Sequence, residues 1–399
     1  MTRSYLAKNV QSLQPSGIRK FFDLASKMDN VISLGVGEPD FVTPWNVIEA
    51  SYHSLEQGYT AYTANAGLLE LREEISSYLS KEFSLSYQAD NQILVTVGAS
   101  QAIDLALRSV LEPGDEVVVV EPSFVSYSPA VTLAGGKAIS LSASAENEFK
   151  IQAEQLEEVI TTKTKAIVLC SPNNPTGTVL NRKELEQIAA VVEKHDVLVI
   201  SDEIYAELSF EEKAMSIASI PGMAERTIVV SGFSKAFAMT GWRLGYACGP
   251  VEIIDAMTKI HQYTMMCAPT MAQYGALEAL RNGMESVENM KMSYRQRRNY
   301  VVNALNEMGL SCHVPGGAFY VFPSIKETGM SSEEFAQRLL EEERVAVVPG
   351  HVFGESGEGY IRCSYATSIK QLGVALQRMA RFVEKHRISD RDIEVTNQQ

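Results

Sequence analysis

Long hydrophobic runs are missing from this 399-residue chain. The strongest, EVVVVE (116–121) and AIVLCS (166–171), fall far short of the roughly 20 residues that cross a bilayer. The N-terminal stretch MTRSYLAKNVQSLQPSG has no apolar segment. Neither a signal peptide nor a membrane partner is expected, and the cytoplasm is the expected compartment. Paired cysteines are missing too. Five of them, at 170, 248, 267, 312 and 363, are scattered, odd in number and form no CxxC, which favours reduced thiols over a disulfide framework. Cys312 and His313 lack a second pair at ligand spacing, so no metal is expected. Basic blocks are absent as well, and a formal net charge of −14 argues against a nucleic-acid partner, which needs a concentrated basic face.

What is present is an ordinary globular composition, 45% hydrophobic and 21% charged, long enough to bury a sizeable core. Between about 90 and 250 the chain alternates β-branched runs with amphipathic stretches. The runs are QILVTVG (92–98), EVVVVEP (116–122), KAIVLCSP (165–172), DVLVISDE (196–203), RTIVVSGF (226–233) and RLGYACGP (243–250). Several are apolar at consecutive positions, as strands covered on both faces are. Asn181 with Glu184 three residues on predicts a capped helix over LNRKELEQIAAVVEKH. The expected fold class is α/β, with a mostly parallel central sheet covered by helices. Beyond about 285 the texture changes to a smaller α+β domain, formed by both chain ends. The expected division is an N-terminal arm and part of the small domain at 1–45, a large domain at 46–284 and a small domain at 285–399.

In open α/β sheets ligands sit outside the carboxyl ends of the strands. The residues there are Ala99-Ser100-Gln101, Ser123-Phe124, Asn173-Asn174-Pro175, Asp202 through Tyr205, and Ser234-Lys235. An amine, an acid, a phenol, a carboxamide, an aromatic ring and several hydroxyls suit a charged aromatic cofactor carrying an aldehyde and a phosphate. Each has a plainer alternative. Lys235 stands in SGFSKAFAMTGWRLGY without an acidic neighbour; it is either a desolvated nucleophilic amine or a side chain reaching to water. Asp202 either pairs with a protonated ring nitrogen or caps a helix. Tyr205 reaches the same ring or fills core, and Asn174, held between Pro172 and Pro175, serves a site or only a turn. Arg243 and Ser234 suit a phosphate, and GASQAIDLAL opens a helix whose first N–H groups, at Ala99 and Ser100, would face an anion.

In order, SPNNPTG, SDEIY and SGFSKAFAMTGWRLGY resemble the class I pyridoxal-phosphate aminotransferases of fold type I. The likeness runs from SLGVGEPDF (33–41) through YTANAGLLELR (62–72) to YIRCSYAT (360–367). SGIRKFFDLA and CAPTMAQYGALEAL (267–280) narrow it to bacterial aromatic and N-acetyl-diaminopimelate aminotransferases.

The resemblance implies that Lys235 holds pyridoxal 5'-phosphate as a Schiff base and later acts as general base, with Asp202 on the pyridine nitrogen. Tyr205 and Asn174 contact the ring oxygen, and Phe124 stacks on the ring. Ala99, Ser100, Ser234 and Arg243 hold the phosphate, joined by Tyr62 from a second subunit of a homodimer. Arg362, helped by Gly37, takes the substrate carboxylate. Many relatives carry a hydroxyl three residues before the lysine, where Gly232 stands here.

The implied reaction is a ping-pong transamination between an amino acid and 2-oxoglutarate. Some aspartate-specific relatives put a lysine at the position of Ser100, and its absence weighs against a dedicated dicarboxylate site without excluding one. Ile18, Met265, Met266 and Cys267 either form an apolar side-chain pocket or simply pack the core; the pocket would suit aromatic or other bulky amino acids, or an N-acetylated diaminopimelate precursor. The same lysine chemistry serves β-lyases and decarboxylases. A regulator built on this fold would need a DNA-binding module, and the sequence shows none. GVGEPD (35–40) fails as a dinucleotide fingerprint, because Asp40 stands where the third glycine belongs.

Overall fold

The computed structural model describes residues 5–15, 17–18 and 24–387; most of SGIRKFFDLA lies outside them. Its centre is a seven-stranded sheet: β2 (Ile93–Thr96), β3 (Glu116–Glu121), β4 (Lys137–Ser142), β5 (Thr164–Cys170), β6 (Leu198–Asp202), β7 (Thr227–Gly232) and β8 (Gly245–Cys248). The spatial order is β2-β8-β7-β6-β5-β3-β4. β8 runs antiparallel to both its neighbours and all other pairs are parallel.

The six expected runs each hold one strand, and the seventh strand, β4, was not among them. It is an edge strand with only Leu141 fully buried, so it lacks the continuous apolar run that betrays a central strand. Val117, Val118, Val119, Ile167, Val199, Ile200, Ile228 and Val229 are inaccessible to solvent, because helices pack on both faces. The Asn181 capping box forms as the sequence predicts, with reciprocal bonds to Glu184.

Two small sheets complete the described residues. β1 (Ile32–Ser33) pairs in parallel with β10 (Val345–Ala346). β11 (Val348–Pro349), β12 (Ile361–Ser364) and β9 (Tyr320–Val321) form an antiparallel triplet. A cluster running from Leu34 through Tyr294, Phe319 and Phe335 to Phe382 ties the early segment to the last third of the chain. That packing places Gly35, Gly37 and Arg362 over the ends of the large sheet's strands.

Candidate active site

One cavity of about 540 Å³ lies where β2, β3, β5, β6 and β7 end, lined by residues from both small and large sheets. Ile18, Gly37, Ala99, Ser100, Phe124, Asn174, Asp202, Tyr205, Ser234, Lys235, Arg243 and Arg362, all anticipated from sequence, line it. The chain has drawn these residues together from across its length.

At its floor Asp202, the last residue of β6, is 4% exposed. Its Oδ2 accepts the Tyr127 hydroxyl at 2.6 Å and its Oδ1 accepts the Ile204 N–H at 3.2 Å. Burial pushes this carboxyl above the usual range, while Tyr127, Ile204 and the Lys235 charge pull it back. Lys235, just past β7, is half-buried in the cavity wall, and its Nζ donates to the Gly37 carbonyl at 2.6 Å. Burial brings the amine down to about 8, against the upward pull of Glu38. An amine so placed loses its proton far more readily than an exposed lysine, which makes it a better nucleophile.

The other end is cationic. Arg243, at φ 53°, donates from Nη1 to the Thr240 carbonyl at 3.0 Å. It lies against Gly98, the N-cap of the helix Ala99–Val110, where φ is 82°. A Cβ on Gly98 would stand 2.7 Å from Arg243 Nη2, so glycine is what lets a guanidinium rest beside a helix N-terminus. Gly232 pairs with Gly245 across β7 and β8. A Cβ at 232 would be 2.8 Å from the Gly245 Cα, and one at 245 would be 2.6 Å from the Ala99 nitrogen. Close strand approach therefore explains why no hydroxyl-bearing side chain stands at 232.

Above the floor, Arg362 on β12 is buried. It donates from Nη1 to Asn174 Oδ1 at 2.9 Å and from Nη2 to the Gly35 carbonyl at 2.7 Å. Its guanidinium carbon sits 4.5 Å from the Tyr320 ring centre and 4.9 Å from that of Phe353. Its Nε is buried without a partner. The Tyr205 and Tyr320 hydroxyls lie 2.9 Å apart.

Tyr62 is 79% exposed and does not line this chain's cavity. Met265 and Met266 are surface side chains, and neither they nor Cys267 line it, so the expected apolar pocket is not built from them within this chain. Sequence reasoning missed Tyr127, Tyr320, Glu38, Thr240, Ile103 and Cys170, which do line it. Tyr127 had a local signal, three residues after Phe124 at the first position of the helix Tyr127–Leu133. Tyr320 had none, because its neighbours come from β6 and β12.

The donor set fits pyridoxal phosphate. A buried carboxylate suits a pyridinium, a depressed lysine suits an aldehyde, and an arginine beside a helix N-terminus suits a phosphate. The family described as aminotransferase class I and II matches residues 29–379, and the chain belongs to it: this is a pyridoxal-phosphate-dependent aminotransferase of fold type I.

It is 65% identical over 382 residues to the Bacillus subtilis protein named "Putative aminotransferase YugH", covering 96% of this chain and 99% of that one. It is 47% identical to an aspartate aminotransferase of Pyrococcus abyssi, covering 96% and 100% of the two chains. The crystal structure of an aromatic aminotransferase from Pyrococcus horikoshii matches with a TM-score of 0.88 at 46% identity, covering 92% and 99%.

Among the described residues no helix is long and apolar enough to cross a membrane.

Proposed function

We propose that this aminotransferase moves the α-amino group of an aromatic or other bulky amino acid to 2-oxoglutarate by a ping-pong reaction. The carrying observation is the set of cations in the cavity. Lys235, Arg243 and Arg362 line it, and they serve in turn the aldehyde, the phosphate and the α-carboxylate. No fourth cation stands among the described lining residues to meet a side-chain carboxylate. The distal carboxylate of 2-oxoglutarate would be held by neutral donors.

Bound pyridoxal phosphate supplies an aldehyde that captures the amino group and a ring that withdraws electrons. The chain's residues do the rest. Arg362 orients the substrate carboxylate, its fork fixed by Asn174, Gly35 and two aromatic rings. Asn174 gives its oxygen to Arg362, leaving its NH₂ for the ring oxygen beside Tyr205. Asp202 keeps the ring nitrogen protonated. Phe124 covers the ring face, and Ala99, Ser100, Ser234 and Arg243 hold the phosphate. The Lys235 amine would serve as the base that takes the substrate's α-proton and as the acid that gives it back. Residues 46–284 act as the cofactor-holding domain, and 1–45 with 285–399 as the part that brings Arg362 and Gly37.

The active unit in this reading is a homodimer. Exposed Tyr59, Tyr62, Tyr263, Met265 and Met266 sit on two segments tied together by Asn65 to Met266 and Thr270 to Ala61. A second copy covering them would bring Tyr62 to its neighbour's phosphate.

Names among the relatives bear on the substrate. One relative, 45% identical, is an aromatic-amino-acid aminotransferase of Thermococcus litoralis, and another, 43% identical, is a probable N-acetyl-LL-diaminopimelate aminotransferase of Bacillus subtilis. Aspartate aminotransferases stand beside them. Single-turnover bleaching of the visible cofactor band by phenylalanine, tyrosine, aspartate and an N-acetylated diaminopimelate, without any keto acid, ranks them. Faster bleaching by aspartate than by phenylalanine would refute the aromatic reading, and steady release of pyruvate and ammonia without bleaching would indicate a lyase.

A further inference from the structure

Tyr320, one of the two rings against Arg362, also reaches Tyr205 and Gly37, so one side chain touches both the carboxylate anchor and the phenol beside the cofactor ring. It is fully buried, on β9, and lines the cavity. Its ring lies under the Arg362 guanidinium at 4.5 Å, with Phe353 at 4.9 Å as the other contact. Its hydroxyl is 2.9 Å from that of Tyr205 and so close to Gly37 that a Cβ there would stand 2.8 Å from it. Gly37 in turn accepts the Lys235 amine. The Arg362 guanidinium is planar by its own resonance; with Nε unpartnered, its orientation is set by the two Nη bonds and by the rings it stacks on.

We propose that Tyr320 is a positioning residue with two separable roles. Its ring fixes the plane of Arg362 for the substrate carboxylate, and its hydroxyl orients the Tyr205 hydroxyl toward the ring oxygen of the cofactor. The proposal rests on Arg362 as the carboxylate anchor. A single side chain then links the substrate's carboxylate to the electronic state of the ring, so that seating an amino acid is felt where the proton will be moved. The direction of the second effect follows from hydrogen-bond polarisation. Either hydroxyl could donate across the 2.9 Å contact, but a Tyr205 that gives its one proton to the ring oxygen leaves Tyr320 as the donor. A phenol that accepts a hydrogen bond is a stronger donor, so in that state the Tyr320 hydroxyl strengthens Tyr205 and favours the anionic form of the ring oxygen.

The test uses the holoenzyme and two variants of different chemistry. Tyr320→Phe keeps the ring and loses the hydroxyl; Tyr320→Leu loses both. Binding of 3-phenylpropionate, a carboxylate with no amine to react, is followed by fluorescence, and the pH midpoint of the visible cofactor band by absorbance. Tyr320→Phe is expected to bind the analogue within about threefold of wild type while its midpoint rises by about half a unit or more, on the scale of one weakened hydrogen bond. Tyr320→Leu is expected to show the same midpoint change and about tenfold weaker analogue binding, the scale of a lost cation–π contact.

Arg362→Gln separates the proposal from the reading beneath it. If that variant binds the analogue normally, the carboxylate anchor itself is wrong. If Arg362→Gln loses the analogue while Tyr320→Leu keeps full affinity, the role of the ring is overturned alone. An unmoved midpoint in Tyr320→Phe, with cofactor bound and melting temperature retained, overturns the role of the hydroxyl. A purely structural tyrosine would lower the melting temperature without moving the midpoint.

Discussion

Replacing Lys235 by methionine in the cofactor-free protein should make the fold more stable at neutral pH, although it removes the nucleophile. The wild-type amine is lowered by burial from 10.5 to about 8, and at 1.36 kcal/mol per unit that costs the folded state about 3 kcal/mol. Methionine fills the same unbranched volume without a charge. It forfeits the hydrogen bond to the Gly37 carbonyl, worth about 1 kcal/mol, so the expected net gain is about 2 kcal/mol.

The pH dependence identifies the cause. Below pH 8 folded and unfolded wild type both carry the proton, and the penalty is complete. Between about 8 and 10.5 the folded amine has lost its proton and the unfolded one has not, so the unfolded state binds more protons and wild-type stability climbs. Above 10.5 the penalty is gone. Urea titrations of both proteins across this range should show the variant's advantage shrinking through zero to a deficit of about 1 kcal/mol, the lost hydrogen bond, with tyrosine titration cancelling in the difference. An advantage below about 0.5 kcal/mol at pH 7, or one that ignores pH, would refute the argument that burial of the charge is what depresses this amine.

Other outcomes follow from the same geometry. Gly98→Ala places a methyl against the Arg243 guanidinium at positive φ; cofactor affinity should fall about tenfold and urea stability by about 1–2 kcal/mol. Arg362→Lys loses the fork to Asn174 and Gly35, and the amino-acid concentration for half-maximal bleaching should rise about a hundredfold, as for a broken buried charge pair, with cofactor affinity nearly unchanged. Asp202→Asn keeps the shape but not the charge opposite the ring nitrogen; bleaching at saturating amino acid should slow by about 10²–10³, and rates equal to wild type would remove Asp202 from the chemistry. Mixing Lys235→Ala with Tyr62→Phe subunits should yield hybrid dimers with one intact site, and no recovery of activity on mixing would speak against shared sites.

Much of the large sheet was legible because its strands are buried on both faces and so read as unbroken apolar runs. β4 was not, since an edge strand with one buried side chain looks like any polar segment. The polar residues at strand ends were legible for a related reason. Asp202, Asn174 and Lys235 interrupt apolar sequence at the points where a parallel sheet must stop, and the topology sends all those points to one edge.

Local sequence therefore determined the buried strands of the large sheet, the Asn181 cap and the identity of the chemical groups, since those depend on periodicity and on neighbours a few residues away. Tertiary structure alone decided what the groups touch. Tyr127 meets Asp202 from 75 positions away and Tyr205 meets Tyr320 from 115. Arg362 meets Gly35 from 327. The glycine at 232 became intelligible only when a neighbouring strand was seen to leave no room for a Cβ. Contacts between distant segments form when whole elements pack, and burial then sets the charge state of each group, so neither the Tyr127 bond to Asp202 nor the depressed amine of Lys235 is encoded in any short stretch of chain.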